Sequence, residues 1–288
     1  MGRLTFRADI KEPVKLETFL RKDMQVSRRF LAKCKYHGEI LRNGCHIRTV
    51  DTVFPNDEIV LISPDKEGTA VPNVYLSVPV LYRSEHIIVY DKPPFMPCHQ
   101  SMGHYTDTLA NAFATEYKGL PFRCITRLDR NTSGVCIVAL TPYGAGYVQD
   151  RIKKVYIGAA QGVIKEKGVI DAPIARKENS VMERCISHDG KPALTRYFPL
   201  FSNEKYTLIK LIPETGRTHQ LRVHMAYLGH TLAGDELYGN AGEDISRHAL
   251  HCLSAEFPEP KTGEMIKVKA PLPQDMRKLF GECLDFEV

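Results

Sequence analysis

No run in this 288-residue chain approaches the roughly 18 consecutive apolar residues that a membrane-spanning helix requires. The opening, MGRLTFRADIKEP, lacks the apolar core of a secretory signal, and Phe6 stands where N-myristoylation would need Ser or Thr. A cytoplasmic protein with no membrane attachment is expected. The eight cysteines (34, 45, 98, 124, 136, 185, 252 and 283) include no C-x-x-C pair, so neither a zinc ribbon nor a dithiol redox motif is signalled. Several sit inside apolar runs, where a free thiol behaves as a small hydrophobe, and they are expected to be reduced and structural. Internal repeats and low-complexity segments are absent as well.

What is present is an ordinary globular composition, 43% hydrophobic and 25% charged, over a length that suits one large domain and one small one. The net charge of +5 is modest but unevenly placed. Between Arg21 and Arg48 stand 8 Lys/Arg against 2 Asp/Glu, a stripe that a phosphate backbone would attract and that a solvated helix face would equally display. Residues 13 to 62 read as a compact unit. Leu16, Phe19 and Leu20 recur at i, i+3, i+4; Ser27 caps a helix over 28–35 with Phe30 and Leu31 inward; Asn43-Gly44 is a turn; Ile59 to Ile62 is a strand. The next stretch, SPDKEGTAVPN, reads as a linker, dividing the chain into 1–63, a connection over 64–73, and 74–288.

In the larger part, strands are expected at 87–90, 135–140, 153–164 and 206–212, with a two-residue alternation from 193 to 198. Asp107 reads as the cap of a helix carrying Leu109, Ala112, Phe113 and Tyr117. Further helices are expected over 143–152, from Thr215-Gly216 with Leu221, Met225 and Leu228 inward until Gly229, and after Pro273 with Met276, Leu279 and Phe280 buried. Strands and helices mix without a βαβ alternation. The expected class is α+β with a mixed, mainly antiparallel sheet, beside a small N-terminal α/β module.

Two stretches could carry chemistry. In RCITRLDRNTSGVCIVAL, 123–140, Asp129 lies between Arg127 and Arg130 in a polar loop delivered by a buried strand. Beside positive charge the carboxylate should stay ionised, fit to act as a nucleophile or to stabilise a cation; a surface ion pair would account for the same residues. In ETGRTHQLRVHMAYLGHTLAGDELYG, 214–239, His219 and His224 are five apart, off the i, i+4 spacing of two ligands on one helix face, and no Glu follows His219 as in zincins. A P-loop lysine is missing too. No metal site is expected there. Tyr156, in KVYIGAAQG, suits a half-buried strand position as well as a site.

RLDRNTSG resembles the RLDxxTSG catalytic motif of the RluA family of RNA pseudouridine synthases, with Thr126 where that family usually has His. The 214–239 stretch is similar to the same family's TGRTHQIRVH…GHPIxGDxxYG, with Thr231-Leu232 for Pro-Ile. DKPPFMPCH resembles its NKPxGxxxH opening, with Phe95 for Gly, and KVYIGAAQG its KxYxAxVxG strand. VSRRFLAKCKYHGEILRNG resembles the S4 RNA-binding domain, Leu41-Arg42 standing where Val is usual. These resemblances imply Asp129 as the catalytic residue and Arg222 as its ion-pair partner. They imply Tyr156 as the ring that packs on the target base and takes part in proton transfer. Arg127, two residues before Asp129, is then placed to fill the gap left by a flipped nucleotide, and Arg28, Arg29, Lys33 and Lys35 to bind RNA from the S4-like module.

Such an enzyme isomerises uridine to pseudouridine by breaking the bond from C1′ to N1 and rejoining the turned uracil through C5. Atoms and electrons are conserved, so no cofactor is expected. The implied partner is RNA, ribosomal RNA first and transfer RNA second, bound by a monomer. The alternative from another class is a non-catalytic RNA-binding or ribosome-assembly factor on the same fold. A hydrolytic glycosidase, which would release free uracil, stands further off.

Overall fold

The computed structural model describes residues 2–281, so Cys283 lies outside the described residues. Residues 2–63 build a sheet of their own. Strands Gly2–Arg7, Glu58–Ser63, Glu39–Arg42 and Cys45–His46 are antiparallel neighbours in that order. Asn43 and Gly44 take φ of 50° and 81°, the tight hairpin turn that an Asn-Gly pair favours. Against the sheet lie the helix Arg28–His37, where Ser27 accepts the N–H of Phe30, and a helical stretch from Leu16 to Asp23. Leu16, Phe19, Leu20, Leu31 and Cys34 fill the space between these elements. One member of this core comes from far along the chain: Tyr143 packs edge-on against Phe6 at 5.6 Å and donates to the Met24 carbonyl oxygen at 2.9 Å. Residues 64–73 form neither helix nor strand, yet they are tied down. Asp65 pairs with Arg123, the Gly68 N–H donates to the Gly119 carbonyl at 2.9 Å, and Asn111 Nδ2 donates to the Val71 carbonyl at 2.7 Å.

The larger body is organised on a ten-stranded, mainly antiparallel sheet, and the class is α+β. Its central strand, Ser133–Ala139, is buried at every residue. On one side it pairs antiparallel with Ile87–Lys92, while Arg123–Cys124 pairs antiparallel with Val138 and Ala139 from the opposite edge. On the other it meets Leu250–Pro258 through two parallel pairs alone, Ser133 with His251 and Gly134 with Cys252. Leu250–Pro258 then leads antiparallel into Lys153–Gln161, Tyr206–Pro213, Leu194–Ser202 and Gly168–Asp171.

Element ends differ from expectation for local reasons. The strand from Lys153 stops at Gln161, because Gly162 turns away at φ 77°. Thr108, in a capping box with Asn111, starts the helix Leu109–Glu116, while Asp107 instead accepts from His104 at 2.6 Å. The helix expected over 143–152 is Pro142–Val148. The one expected to open at Thr215 begins at Gln220, whose side-chain oxygen accepts from Thr215 Oγ1 and the Arg217 N–H and so holds the preceding residues as a loop. No helix among the described residues is long and apolar enough to cross a membrane.

The parallel junction is locked by its side chains. Gly134 has φ 104°, and a Cβ there would lie 2.2 Å from the Cys252 carbonyl oxygen, so only glycine fits. Thr132 Oγ1 meets His248 Nε2 at 2.9 Å, and Ser133 Oγ meets His251 Nδ1 at 2.9 Å. Both imidazoles are buried, and burial disfavours their charged form, lowering His251 to about 4. A histidine that must stay neutral when folded contributes its stability above the ordinary value of 6.5, and that contribution is lost as pH falls toward 4. Urea unfolding free energies should therefore fall across this window, by about 3 kcal/mol from His251 alone. His251→Gln should flatten the profile; an unchanged slope would refute the assignment.

Candidate active site

Asp129 sits on the loop between Arg123–Cys124 and Ser133–Ala139, and the loop is pinned from beneath. Thr126 Oγ1 accepts the N–H of Ile137 at 2.7 Å, and the Thr132 N–H closes a turn onto the Asp129 carbonyl at 3.1 Å. Two buried cations take up backbone oxygens. Lys92 donates to the carbonyls of Pro93, Met96 and Arg130 at 2.8, 2.8 and 3.1 Å. Burial lowers its pKa to about 8. Arg247 donates to the Asn131 carbonyl at 3.0 Å and is itself gripped by Asp275 at 2.6 and 3.0 Å. Every carbonyl bound in this way is one the loop need not satisfy with water, which fixes its path.

Arg222 reaches the carboxylate from the opposite side, on the helix Gln220–Tyr227. Its Nη1 donates to Asp129 Oδ2 at 3.2 Å, while Nε and Nη2 hold the two oxygens of Asp235 at 2.8 and 2.7 Å. Arg222 and Asp235 are buried, and Asp129 is partly open to the cleft. Burial works against the guanidinium charge, but Asp235 and then Asp129 more than offset it, holding its pKa above the ordinary value. The Tyr238 ring lies beneath this guanidinium, 5.0 Å from ring centre to Cζ. His219, at φ 57°, directs Nε2 to within 3.8 Å of Asp129 Oδ2 and Nδ1 to 2.8 Å from the Tyr238 hydroxyl. Burial depresses its pKa, so it faces Asp129 as a neutral ring.

Tyr156 enters from Lys153–Gln161 at a β-bulge, where the register against Leu250–Pro258 shifts between Val155 and Tyr156. Bulges re-aim side chains in this way. Its ring is buried, and burial, followed by Cys252, pushes the hydroxyl well above the usual tyrosine range. It keeps its proton at neutral pH.

Asp129, Tyr156, Arg222 and Arg127 line one cleft of about 1010 Å³. Six cationic side chains border it, from Arg127, Arg130, Lys154, Arg184, Arg217 and Arg222, against three carboxylates, Asp129, Asp150 and Glu214. A surface with that balance attracts a polyanion. Arg127 is exposed, while Leu128 behind it is buried. Arg28, Arg29, Lys33 and Lys35 do not border the cleft; all four lie on the helix Arg28–His37, with Lys33 half-buried and the others exposed. His224 donates or accepts only within the fold, at Thr195 Oγ1 and the Ala172 carbonyl.

Nothing in the sequence by itself distinguishes Asp235, Tyr238, His219 or Arg247 as parts of this site. Asp235 and Tyr238 fall within GDELYG, and Lys92 within DKPP, but their tasks exist only once distant segments converge.

The same architecture is found in known proteins. The family model described as RNA pseudouridylate synthase matches residues 86–227. YjbO of Bacillus subtilis, an uncharacterized RNA pseudouridine synthase, is 36% identical over 271 residues, 90% of this chain and 95% of that protein. Ribosomal large subunit pseudouridine synthase D of Haemophilus influenzae is 34% identical over 247 residues, 78% of this chain and 76% of that protein. Among solved structures, human RNA pseudouridylate synthase domain containing 1 matches with a TM-score of 0.58 at 29% identity, over 69% of this chain and 85% of that one. Similarity that runs along nearly the whole of two chains, on a shared fold, leaves one assignment: this chain belongs to the RNA pseudouridine synthase family and is an enzyme of that kind.

Proposed function

We propose that the protein converts uridines of structured ribosomal RNA to pseudouridine, with transfer RNA as the second substrate class, and that Asp129 is its catalytic residue. The observation that carries this reading is the Asp129 carboxylate, held at 3.2 Å by a buried guanidinium at the wall of an electropositive cleft. The name of the Haemophilus relative supports the ribosomal choice. The enzyme acts as a cytoplasmic monomer. Residues 1–63 serve as an S4-like RNA-binding domain, 64–73 as the connection and 74–288 as the catalytic domain.

Breaking C1′–N1 leaves the electron pair on uracil and positive character on the ribose. Asp129 meets this by attacking the sugar or the base, or by removing a sugar proton. The uracil turns, C5 bonds to C1′, the proton on C5 departs and N1 acquires one. The balance closes without oxidant or cofactor. Glycosidases use a second carboxylate to protonate a leaving group that is lost; a base that leaves as an anion and is retained needs only one. Arg222 keeps Asp129 charged and aimed. Tyr156, holding its proton, walls the pocket against the base and takes part in proton movement at C5.

A uracil within folded RNA must be turned out, at a cost of a few kcal/mol. Arg127 fills the vacated gap and stacks its planar guanidinium on neighbouring bases. Arg28, Arg29, Lys33 and Lys35 bind phosphates from the N-terminal helix. The rival, a binding factor on the same fold without the reaction, has no observation in its favour.

Asp129→Asn should lower pseudouridine formation in vitro by at least about 10³-fold while RNA is still retained. Near-normal activity would remove Asp129 from the chemistry, and free uracil in the wild-type reaction would reveal hydrolysis instead. Arg127→Ala should lose activity on structured RNA far more than binding, and equal activity would refute the flipping role. Replacing Arg28, Arg29, Lys33 and Lys35 with Ala should reduce the slope of log affinity against log salt by about 0.9 for each phosphate that is no longer neutralised. An unchanged slope would take that helix out of the RNA interface. Pseudouridine mapping across the transcriptome, with and without the gene, identifies the substrate directly.

A further inference from the structure

The cysteine spacing carries no metal motif, yet the fold gathers three thiols that the proposed chemistry does not use. Cys98 follows the strand Ile87–Lys92, Cys124 ends Arg123–Cys124, and Cys136 lies within Ser133–Ala139. Their sulfur atoms all lie within 4.8 Å of one another. Cys124 and Cys136 are 3.6 Å apart, and Cys98 and Cys136 4.0 Å. Thiolates bound to zinc at about 2.3 Å stand about 3.8 Å apart in a tetrahedral site and about 4.0 Å apart in a trigonal one. Two of the three pairs are therefore already at ligand spacing, and the third needs only a small closure.

The surroundings favour the anion at Cys98, whereas the neighbouring thiols and burial push Cys124 and Cys136 up, so a bound ion must displace their protons. The Leu128 N–H donates to Cys98 Sγ at 3.4 Å, and the buried ammonium of Lys92 acts electrostatically on both Cys98 and Cys136. A divalent ion with three thiolates carries one net negative charge, which Lys92 balances. Cys98 borders the catalytic cleft, giving an ion a path inward.

We propose that Cys98, Cys124 and Cys136 form a binding site for a thiophilic closed-shell cation, Zn²⁺ or Cu⁺, behind the loop that carries Asp129. Thiolate ligands select these ions over the oxygen-seeking Mg²⁺ and Ca²⁺. Metal–sulfur bonds replace the S–H bonds, the protons pass to solvent, and no electron is transferred. The ion's role is positioning. Ligation gives up the S–H bonds to the Leu128 and Thr126 carbonyls but keeps and strengthens the Leu128 N–H bond to Cys98 Sγ, so the metal-held sulfur fixes the residue that follows Arg127.

The test uses the full chain, stripped of metal and kept reduced. Titration with Cd²⁺ should give a thiolate-to-metal charge-transfer band that saturates at one equivalent. The band should be lost in Cys98→Ser, Cys124→Ser and Cys136→Ser and kept in Cys45→Ser and Cys185→Ser. Zn²⁺ and Cu⁺, added separately, should each displace it, and the tighter competitor is the preferred ion. Because a core substitution can prevent folding, the unsubstituted protein is also alkylated and mapped by mass spectrometry. Zn²⁺ or Cu⁺ at about ten times its Kd should slow modification of Cys98 and Cys124 about tenfold while Cys45 reacts as before. Absence of the band, a band that follows Cys45 or Cys185, no protection, or a disulfide among the three in the purified protein would each overturn the proposal.

Discussion

One guanidinium joins the parts of this enzyme that matter to one another. Arg222 is buried, and its charge is tolerable only because Asp235 takes two of its nitrogens and Asp129 a third. Buried ion pairs add little net stability, but removing one partner strands a charge at a cost of about 3–5 kcal/mol. The arrangement therefore contributes definition more than strength. With Asp235 occupying the Nε–Nη2 edge, Nη1 is left to face the cleft, where Asp129 accepts one of its N–H groups. Tyr238 restricts the guanidinium further by lying beneath its plane and by holding His219 through its hydroxyl.

Such an arrangement is useful only if the Asp129 loop keeps its place. Loops carry backbone carbonyls that normally face water, and here two, those of Arg130 and Asn131, are taken by cations with little or no exposure, Lys92 and Arg247. Three further side chains tie the loop to the sheet: Thr126 to Ile137, Thr132 to His248 and Ser133 to His251. The polar residues around Asp129 are thus mostly structural, and they leave Arg127, Asp129 and Arg130 as the positions open to a ligand. Preorganised groups of this kind need no rearrangement at the moment of reaction.

How much of this was legible in the sequence depends on range. Signals that act within four residues survive folding: the Ser27 cap, the Asn43-Gly44 turn, the β-branched run beyond Gly134 and the stop at Gly229 all appear where the sequence puts them. Local competition among neighbours was harder to read. Thr108 and Asp107 are both good caps, and only their different partners separate them. Gln220 delays its helix through a side-chain bond that no periodicity reveals. Convergence over long range was legible only by resemblance to a family, which pointed to Asp129 with Arg222 but not to Asp235 or Tyr238. The cysteine cluster lay beyond both, since Cys98 and Cys136 are 38 residues apart and meet only when the segment after Ile87–Lys92 folds against Ser133–Ala139.

The junction of two parallel pairs between Ser133–Ala139 and Leu250–Pro258 divides the sheet into lobes that are consecutive in the chain, strands between 80 and 139 on one side and between 153 and 269 on the other. Asp129 belongs to the first lobe, Arg222 and Tyr156 to the second, so the side chains that line the cleft meet across the seam. Gly168–Asp171 is the outermost strand of the second lobe, whereas Val80–Arg83, at the other margin, reaches back to that lobe, where Tyr82 donates to Glu259 at 3.0 Å. Additions beyond Gly168–Asp171 leave the seam undisturbed. The fold can therefore acquire new outer elements, and with them new RNA surfaces, without re-solving the geometry of its chemistry.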